Sequence, residues 1–239
     1  SDTKKSLSYH INKSGFNAKK VYKKQIKFDI KNFKFFIEPH IEQGPVLEKK
    51  KIPLGIVTGI RGSFRFRDAF CKGEYLHSGA TPYDYRKDSV VAVSNLVNEM
   101  DIFWKAQLKK NKDLVITFGQ FFTDSEEHSF AKSSGLVNFC IDVRSNSKNT
   151  LDYTKKILIK KIKLIEKKTN TKFFLGKETN SEPALMDKKL IKKFQIYSKM
   201  ISMKFETMAS GAGHDASVFA NHGIPSLMLF IRNKNGSHN

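Results

Sequence analysis

Five short stretches of this chain combine residue types that can do chemistry. Glu38-Pro39-His40-Ile41-Glu42-Gln43-Gly44-Pro45 packs two carboxylates, an imidazole and an amide into one turn-rich run. A His at a strand end can ligate a metal while a carboxylate or carbonyl holds its other ring nitrogen; it can equally be a hydrogen-bonded surface residue. Gly73-Glu74-Tyr75-Leu76-His77-Ser78-Gly79-Ala80-Thr81-Pro82 sends a second His out of a strand just before a small-residue loop, where its ring can enter a cleft without steric competition. The alternative is a loop His that closes a turn, with Asp88 serving the start of the next helix. Asp142-Val143-Arg144 ends a strand, where the guanidinium can grip a substrate carboxylate in bidentate fashion or pair with Asp142. Ser210-Gly211-Ala212-Gly213-His214-Asp215-Ala216 sets small residues before a helix start, so backbone N–H groups are exposed to an anion. Gly236-Ser237-His238-Asn239 puts one more His in a glycine turn after a buried strand, or is an engineered scar with no function.

Elements that can position these groups are legible from periodicity. Apolar runs at 33–37 and 52–60 are predicted strands flanking the first group, with Pro39 closing the earlier one and His40 at a strand end. From residue 63 the pattern predicts a long strand (63–75), a helix (86–108), a strand (114–122), a strand (136–143), a helix (150–168) and a last strand (172–175). That order, β-α-β-β-α-β, is the split βαβ sandwich with both helices on one face of an antiparallel sheet. A helix near 187–203, a short helix at 215–221 and a buried strand at 225–231 follow, and a short helix is possible at 6–13. The chain is therefore read as α/β, with 61–177 inserted between two pieces of another domain, 1–60 and 178–239, through Gly- and Pro-containing joints at 59–62 and 178–183.

Composition bounds the function. The chain has 239 residues, 39% hydrophobic and 12% aromatic, enough apolar surface to drive folding. A formal net charge of +20 points first to a polyanion, but Arg occurs only at 61, 65, 67, 86, 144 and 232, and the excess is Lys spread over what read as solvated helix faces. Nucleic-acid readers rely on the planar fork of Arg, so no specific nucleic-acid partner is expected. Cys71 and Cys140 are too few for a disulfide framework and are expected reduced, in a cytoplasmic setting. No stretch approaches the roughly 18 apolar residues of a membrane span.

Taken together and in order, the five groups resemble the hydantoinase/carbamoylase family of di-metal amidohydrolases, whose His-Ile-Glu-Gln-Gly-Pro-x-Leu-Glu pattern is matched without a gap from His40 to Glu48. The resemblance implies a partial di-zinc-aminopeptidase-like catalytic domain interrupted by a ferredoxin-like lid and dimerisation domain. It implies hydrolysis of a linear amide or ureido bond in an N-carbamoyl amino acid, ureido acid or allantoate, with two divalent metal ions, Zn or Mn. Residue by residue, it makes His40 and His238 metal ligands and has Gln43 hold the ureido or amide group. His77 would polarise the scissile carbonyl, reaching the site from the lid and, in relatives, from the partner subunit of a homodimer. Arg144 would clamp a carboxylated small-molecule substrate, assisted by Ser210, Gly211 and His214.

The chain departs from the family pattern in three places. The upstream His-x-Asp, bridging Asp and Glu-Glu pair have no counterpart before His40, Ala131-Lys132-Ser133-Ser134-Gly135 stands where the family has Asn-x-x-Pro-Gly, and the family continues past the final His-Asn. The 239 residues by themselves are therefore expected to be inactive.

Overall fold

The computed structural model describes residues 5–23 and 29–234. In chain order the elements are α1 (Leu7–Lys13), α2 (Ala18–Tyr22), β1 (Phe36–Ile41), α3 (Val46–Lys50), β2 (Leu54–Ile60), β3 (Gly62–Lys72) and β4 (Leu76–His77). Then come α4 (Ser89–Lys109), β5 (Val115–Thr117), β6 (Phe121–Thr123), β7 (Lys132–Ser133), β8 (Leu136–Ser145) and α5 (Lys148–Thr169). The chain continues through β9 (Lys172–Phe174), β10 (Glu178–Ser181), β11 (Ala184–Leu185), α6 (Lys188–Met200), β12 (Phe205–Ser210), α7 (Asp215–Asn221) and β13 (Ser226–Ile231).

Among the described residues two larger sheets with separate cores result, and β4 pairs with β7 as a two-stranded third. In the first, β1 runs parallel to β13, β13 antiparallel to β2, and β2 parallel to β12, with the short β11 antiparallel to the end of β2. The Ser-Leu-Met-Leu-Phe run of β13 is apolar on both faces because both are covered, and it joins Leu47, Ile56, Val57, Met186 and Ala216 in one core. Helix α6 starts where the Asp187 carboxylate accepts from the Leu190 N–H at 2.8 Å. Strand β1 passes through Pro39, where the sequence predicted a stop. Among the described residues it pairs only with β13, so a residue without an N–H costs the ladder nothing on the other edge.

In the second sheet β3 and β8 are the antiparallel centre, flanked by β9 and β10 on β3 and by β5 and β6 on β8. This is the strand order expected of the split βαβ arrangement, and α4 and α5 both pack on the same face. Alternation along β8 sets the two faces: Val137, Phe139, Ile141 and Val143 are buried, while Asn138, Cys140, Asp142 and Arg144 are half-buried on the other side. Asp88 caps α4 by accepting from the Val90 and Val91 N–H groups, and Ser147 caps α5 by accepting from Thr150.

The single strand predicted at 114–122 is instead two, β5 and β6, which pair with opposite halves of β8 on either side of Cys140. The β3 ladder also breaks there, between Phe66 and Ala69, so both neighbours of β8 bend where the sheet twists. β10 falls within the stretch 178–183 that the sequence marked as the second joint; it pairs with Ser63 to Phe66 and lies on this sheet.

Only Arg61 separates β2 from β3, so the sheets meet at a tight joint. A Cβ on Gly62 would lie 2.4 Å from Pro183 N and 2.5 Å from Ser181 O, both backbone atoms with no rotamer escape. Gly62→Ala is therefore expected to destabilise the protein by about 1–3 kcal/mol, the range for overpacking. A thermal midpoint unchanged by calorimetry would show that the joint is slack.

Candidate functional site

An open cleft of about 710 Å³ lies at this joint, with Gln43, Arg61, Arg144, Gly211 and Phe230 among its lining residues. Gln43 reaches it from the turn after β1. The adjacent Glu42 is buried, and its carboxylate accepts from the Val46 N–H at 2.8 Å and the Leu47 N–H at 2.7 Å. Glu42 is thus a cap for α3 that satisfies two otherwise orphaned donors. Gln43 pays for the reversal with a left-handed backbone, φ 57°, unusual for a residue with a Cβ and most often retained where a site needs it.

Arg144 closes the opposite wall. Sequence left open whether it would pair with Asp142 or face a ligand, and its guanidinium divides between the two directions. Nε and Nη2 hold the Asp142 carboxylate, the latter at 2.6 Å, while Nη1 donates to Gly211 O at 2.5 Å across the cleft. Asp142 also faces Arg65 at 3.2 Å, so one carboxylate organises two guanidiniums. Arg61 and its partner Asp113, neither singled out by sequence, build the same arrangement beside it: Nε and Nη2 grip Asp113 at 2.6–3.0 Å. No sequence signal marks Arg61 for this role: Ser63, two residues on, stands opposite Arg144, and that register belongs to the folded sheet.

The loop at 210–213 follows β12. Ser210 is fully buried, and its Oγ donates to Ala212 O and accepts from the Ala212 N–H, so the hydroxyl shapes the loop while Gly211 lines the cleft. The start of α7, expected to present N–H groups to an external anion, already holds one from the protein: Glu38 Oε2 accepts from the Ala216 N–H at 2.7 Å. The other Glu38 oxygen lies 3.6 Å from His214 Nδ1. His214 is buried and packs edge-on against His40, with ring centroids 4.6 Å apart. His40 Nδ1 lies 2.7 Å from Ile41 O, its own neighbour's carbonyl. Glu38, quoted in the motif but given no role from sequence, thereby anchors both His214 and α7 to β1.

Whether these residues suit a metal pair can be tested on the same geometry. Among the described residues no group of three or more His, Cys, Asp or Glu is arranged to hold a metal ion. His238, the ligand expected to join His40, lies outside the described residues, as does the closing Gly-Ser-His-Asn motif. The described residues therefore do not by themselves fit a di-metal centre, and no reaction step through one follows from them. A cysteine nucleophile is also unsupported at Cys71, because burial pushes its thiol up to about 11 and keeps it protonated near neutral pH.

His77 lies elsewhere. It follows β3 past Lys72, whereas the cleft adjoins Gly62 at the other end of that strand, a run of roughly 30 Å at 3.3 Å per residue. Its Nδ1 accepts from the Gly79 and Ala80 N–H groups, both at 3.2 Å, which leaves the proton of the neutral ring on Nε2. Arg86 fixes the same loop by donating to Ser78 O and Thr81 O. The 131–135 segment, where the family's Asn is replaced, is beside His77: the Ser78 N–H donates to Ala131 O at 2.8 Å, and Lys132 pairs with His77. His77 and the Gln43–Arg144–Gly211 cleft are thus two separate places on one chain.

The family model for Peptidase family M20/M25/M40 matches residues 13–239. An allantoate amidohydrolase of Escherichia coli (strain K12) is 33% identical over 210 residues, 87% of this chain and 49% of that protein. An N-carbamoyl-L-amino-acid amidohydrolase of Pseudomonas sp. (strain NS671) is 31% identical over 226 residues, 93% of this chain and 52% of the relative. Among solved structures, an amidase of the hydantoinase/carbamoylase family from Burkholderia multivorans superposes with a TM-score of 0.76 at 25% identity, covering 85% of this chain and 48% of the other. The chain spans about half the length of the curated relatives it matches.

Proposed function

Because the chain belongs to Peptidase family M20/M25/M40, we propose that it supplies the substrate-holding part of a hydrolase acting on a linear C–N bond of an N-carbamoyl amino acid, a ureido acid or allantoate. The observation that carries this reading is the convergence of Gln43, Arg144 and Gly211 on one cleft from segments far apart in the chain. There Arg144 binds the substrate carboxylate, and the Gln43 amide orients the ureido group. In the reaction water adds to the ureido or amide carbon and the C–N bond breaks. A donor at the carbonyl oxygen lowers the barrier by meeting charge as it develops.

His77 is the proposed donor, through Nε2–H. Its position at the far end of β3 favours delivery by a second copy of the chain, so a homodimer is part of the proposal. So are a cytoplasmic setting and a pair of Zn or Mn ions, the latter drawing on ligands beyond those described. No helix among the described residues is long and apolar enough to cross a membrane.

A second reading, a non-catalytic carboxylate-binding or dimerisation module, is favoured by Ala131, which stands in the place of the family's amide side chain. The two separate on one assay: release of product from N-carbamoyl amino acids and allantoate, with Zn or Mn supplied. It is run on the 239-residue polypeptide and on that polypeptide extended by whatever its gene encodes in frame upstream. The hydrolase reading expects weak or single metal binding and no turnover from the first, and turnover from the second. An extended chain that carries a His-x-Asp segment, loads two metals and still turns nothing over leaves the binding module. Stoichiometric loading of two metals by the 239 residues alone, seen by elemental analysis, overturns the expected inactivity.

A further inference from the structure

We propose that Arg61 is a second anion receptor of the cleft and that the preferred ligand carries two acidic groups, as in an N-carbamoyl amino dicarboxylate. This deepens the reading above and rests on Arg144 as the receptor for the first carboxylate.

The placement follows from register. Ser63 stands directly opposite Arg144, and opposed residues of an antiparallel pair project on one face. Arg61 lies two residues earlier, in the joint just before β3, and its side chain and that of Arg144 line the same cleft. Residues diagonal to one another across an antiparallel pair are roughly 7–8 Å apart at Cα, and a comparable span here is one that a small ligand with acidic groups at both ends can bridge.

The two guanidiniums are built alike. Each is tethered along its Nε/Nη2 edge by a carboxylate, Asp113 for Arg61 and Asp142 for Arg144. Asp113 is itself immobilised, since its Oδ2 accepts from the Asn146 N–H at 2.7 Å and its carbonyl from Ser145 Oγ at 2.6 Å. The tether leaves Nη1 of each guanidinium turned toward Gly211 from a different side. Arg144 Nη1 donates to Gly211 O, and Arg61 Nη1 lies 3.6 Å from where a Gly211 side chain would begin. The Arg61 backbone N–H donates to Ser210 O at 3.1 Å, which locks the receptor to the same loop.

Of the other ionised groups at the cleft, Glu42 is engaged by the start of α3 and Glu206 by Lys50 at 2.9 Å, so neither competes for the arginine edges. A simple interdomain tether would need the Asp113 edge alone. It would not need the free edge of Arg61 to line a cleft beside a second, identically tethered Arg.

The test compares ligands that differ only in the second acid. Binding of N-carbamoyl-L-aspartate, N-carbamoyl-L-asparagine and N-carbamoyl-L-alanine to the 239-residue chain is measured by calorimetry at low salt. A charge-assisted contact predicts the aspartate compound to bind about tenfold or more tighter than its neutral isostere. That preference should collapse in Arg61→Gln and survive in part in Arg61→Lys, and it should shrink as salt is raised. Equal binding of the aspartate and asparagine compounds by the wild-type chain overturns the role of Arg61 while leaving Arg144 as a receptor. No binding of any of the three by the folded chain overturns the carboxylate-cleft reading itself, and this proposal with it. The wild-type comparison decides the matter even if Arg61→Gln fails to fold.

Discussion

Arg144→Ala is expected to lower the affinity of the chain for N-carbamoyl-L-alanine at least about thirtyfold. Truncating one partner of a partly buried, hydrogen-bonded charge pair costs about 2–5 kcal/mol, and the lower bound alone gives that factor. Three effects combine. A ligand carboxylate held here would lose its cationic partner, Gly211 O loses its Arg144 donor, and Asp142 is left to Arg65 alone. Arg144→Lys restores the charge but not the planar geometry, so it should recover only part of the loss. Calorimetric titration of the two variants beside the wild type checks this. An affinity unchanged in a folded Arg144→Ala protein would show that the ligand does not sit at this guanidinium.

Phe139→Ala is expected to cost about 3–5 kcal/mol of folding stability, the usual range for a fully buried aromatic. Phe139 is 1% exposed at the middle of β8, beneath α4 and α5, with its ring 6.0 Å from that of Phe173 and 6.3 Å from that of Phe118. Its backbone is paired on both sides, with Ala69 of β3 and Phe121 of β6, so the strand is held in place and a cavity there collapses poorly. Since total stability of a domain is of order 5–15 kcal/mol, the substitution should bring the sheet close to unfolding. Arg144, five residues along the same strand, would lose its placement with it. Urea denaturation gives the number, with Asn138→Ala on the open face of β8 as a control expected to cost far less. A loss below about 1 kcal/mol for Phe139→Ala would mean that the helix layer, rather than this ring, holds the sheet.

Local order along the chain was open to sequence because it depends on contacts a few residues apart. Apolar residues at helical spacing marked α4 and α5, and Asp88 and Asp187 cap helices through bonds to N–H groups two or three residues ahead. The strand order that made a split βαβ sandwich the natural reading follows from the same signals. Where the prediction slipped, the deciding factor at Pro39 was which edge of the strand had a partner, and in the 114–122 run it was the interruption of pairing opposite Cys140; both are properties of the sheet and not of the segment.

The motifs themselves were also legible, since each is a short run of chemically distinctive residues, but their joint arrangement was not. Glu38 meets the Ala216 N–H across 178 positions, and Arg61 meets Asp113 across 52. Such pairs leave no periodic trace, because nothing in the residues between them encodes the distance. Tertiary structure alone decided that Glu42 is spent on α3, that Gln43 adopts a left-handed backbone to face the cleft, and that Arg61 lines the same cleft as Arg144. It also decided that His77 stands at the other end of β3. The residue types declared what chemistry was possible, and packing, by choosing which donors already have acceptors, selected which groups are left to meet a ligand.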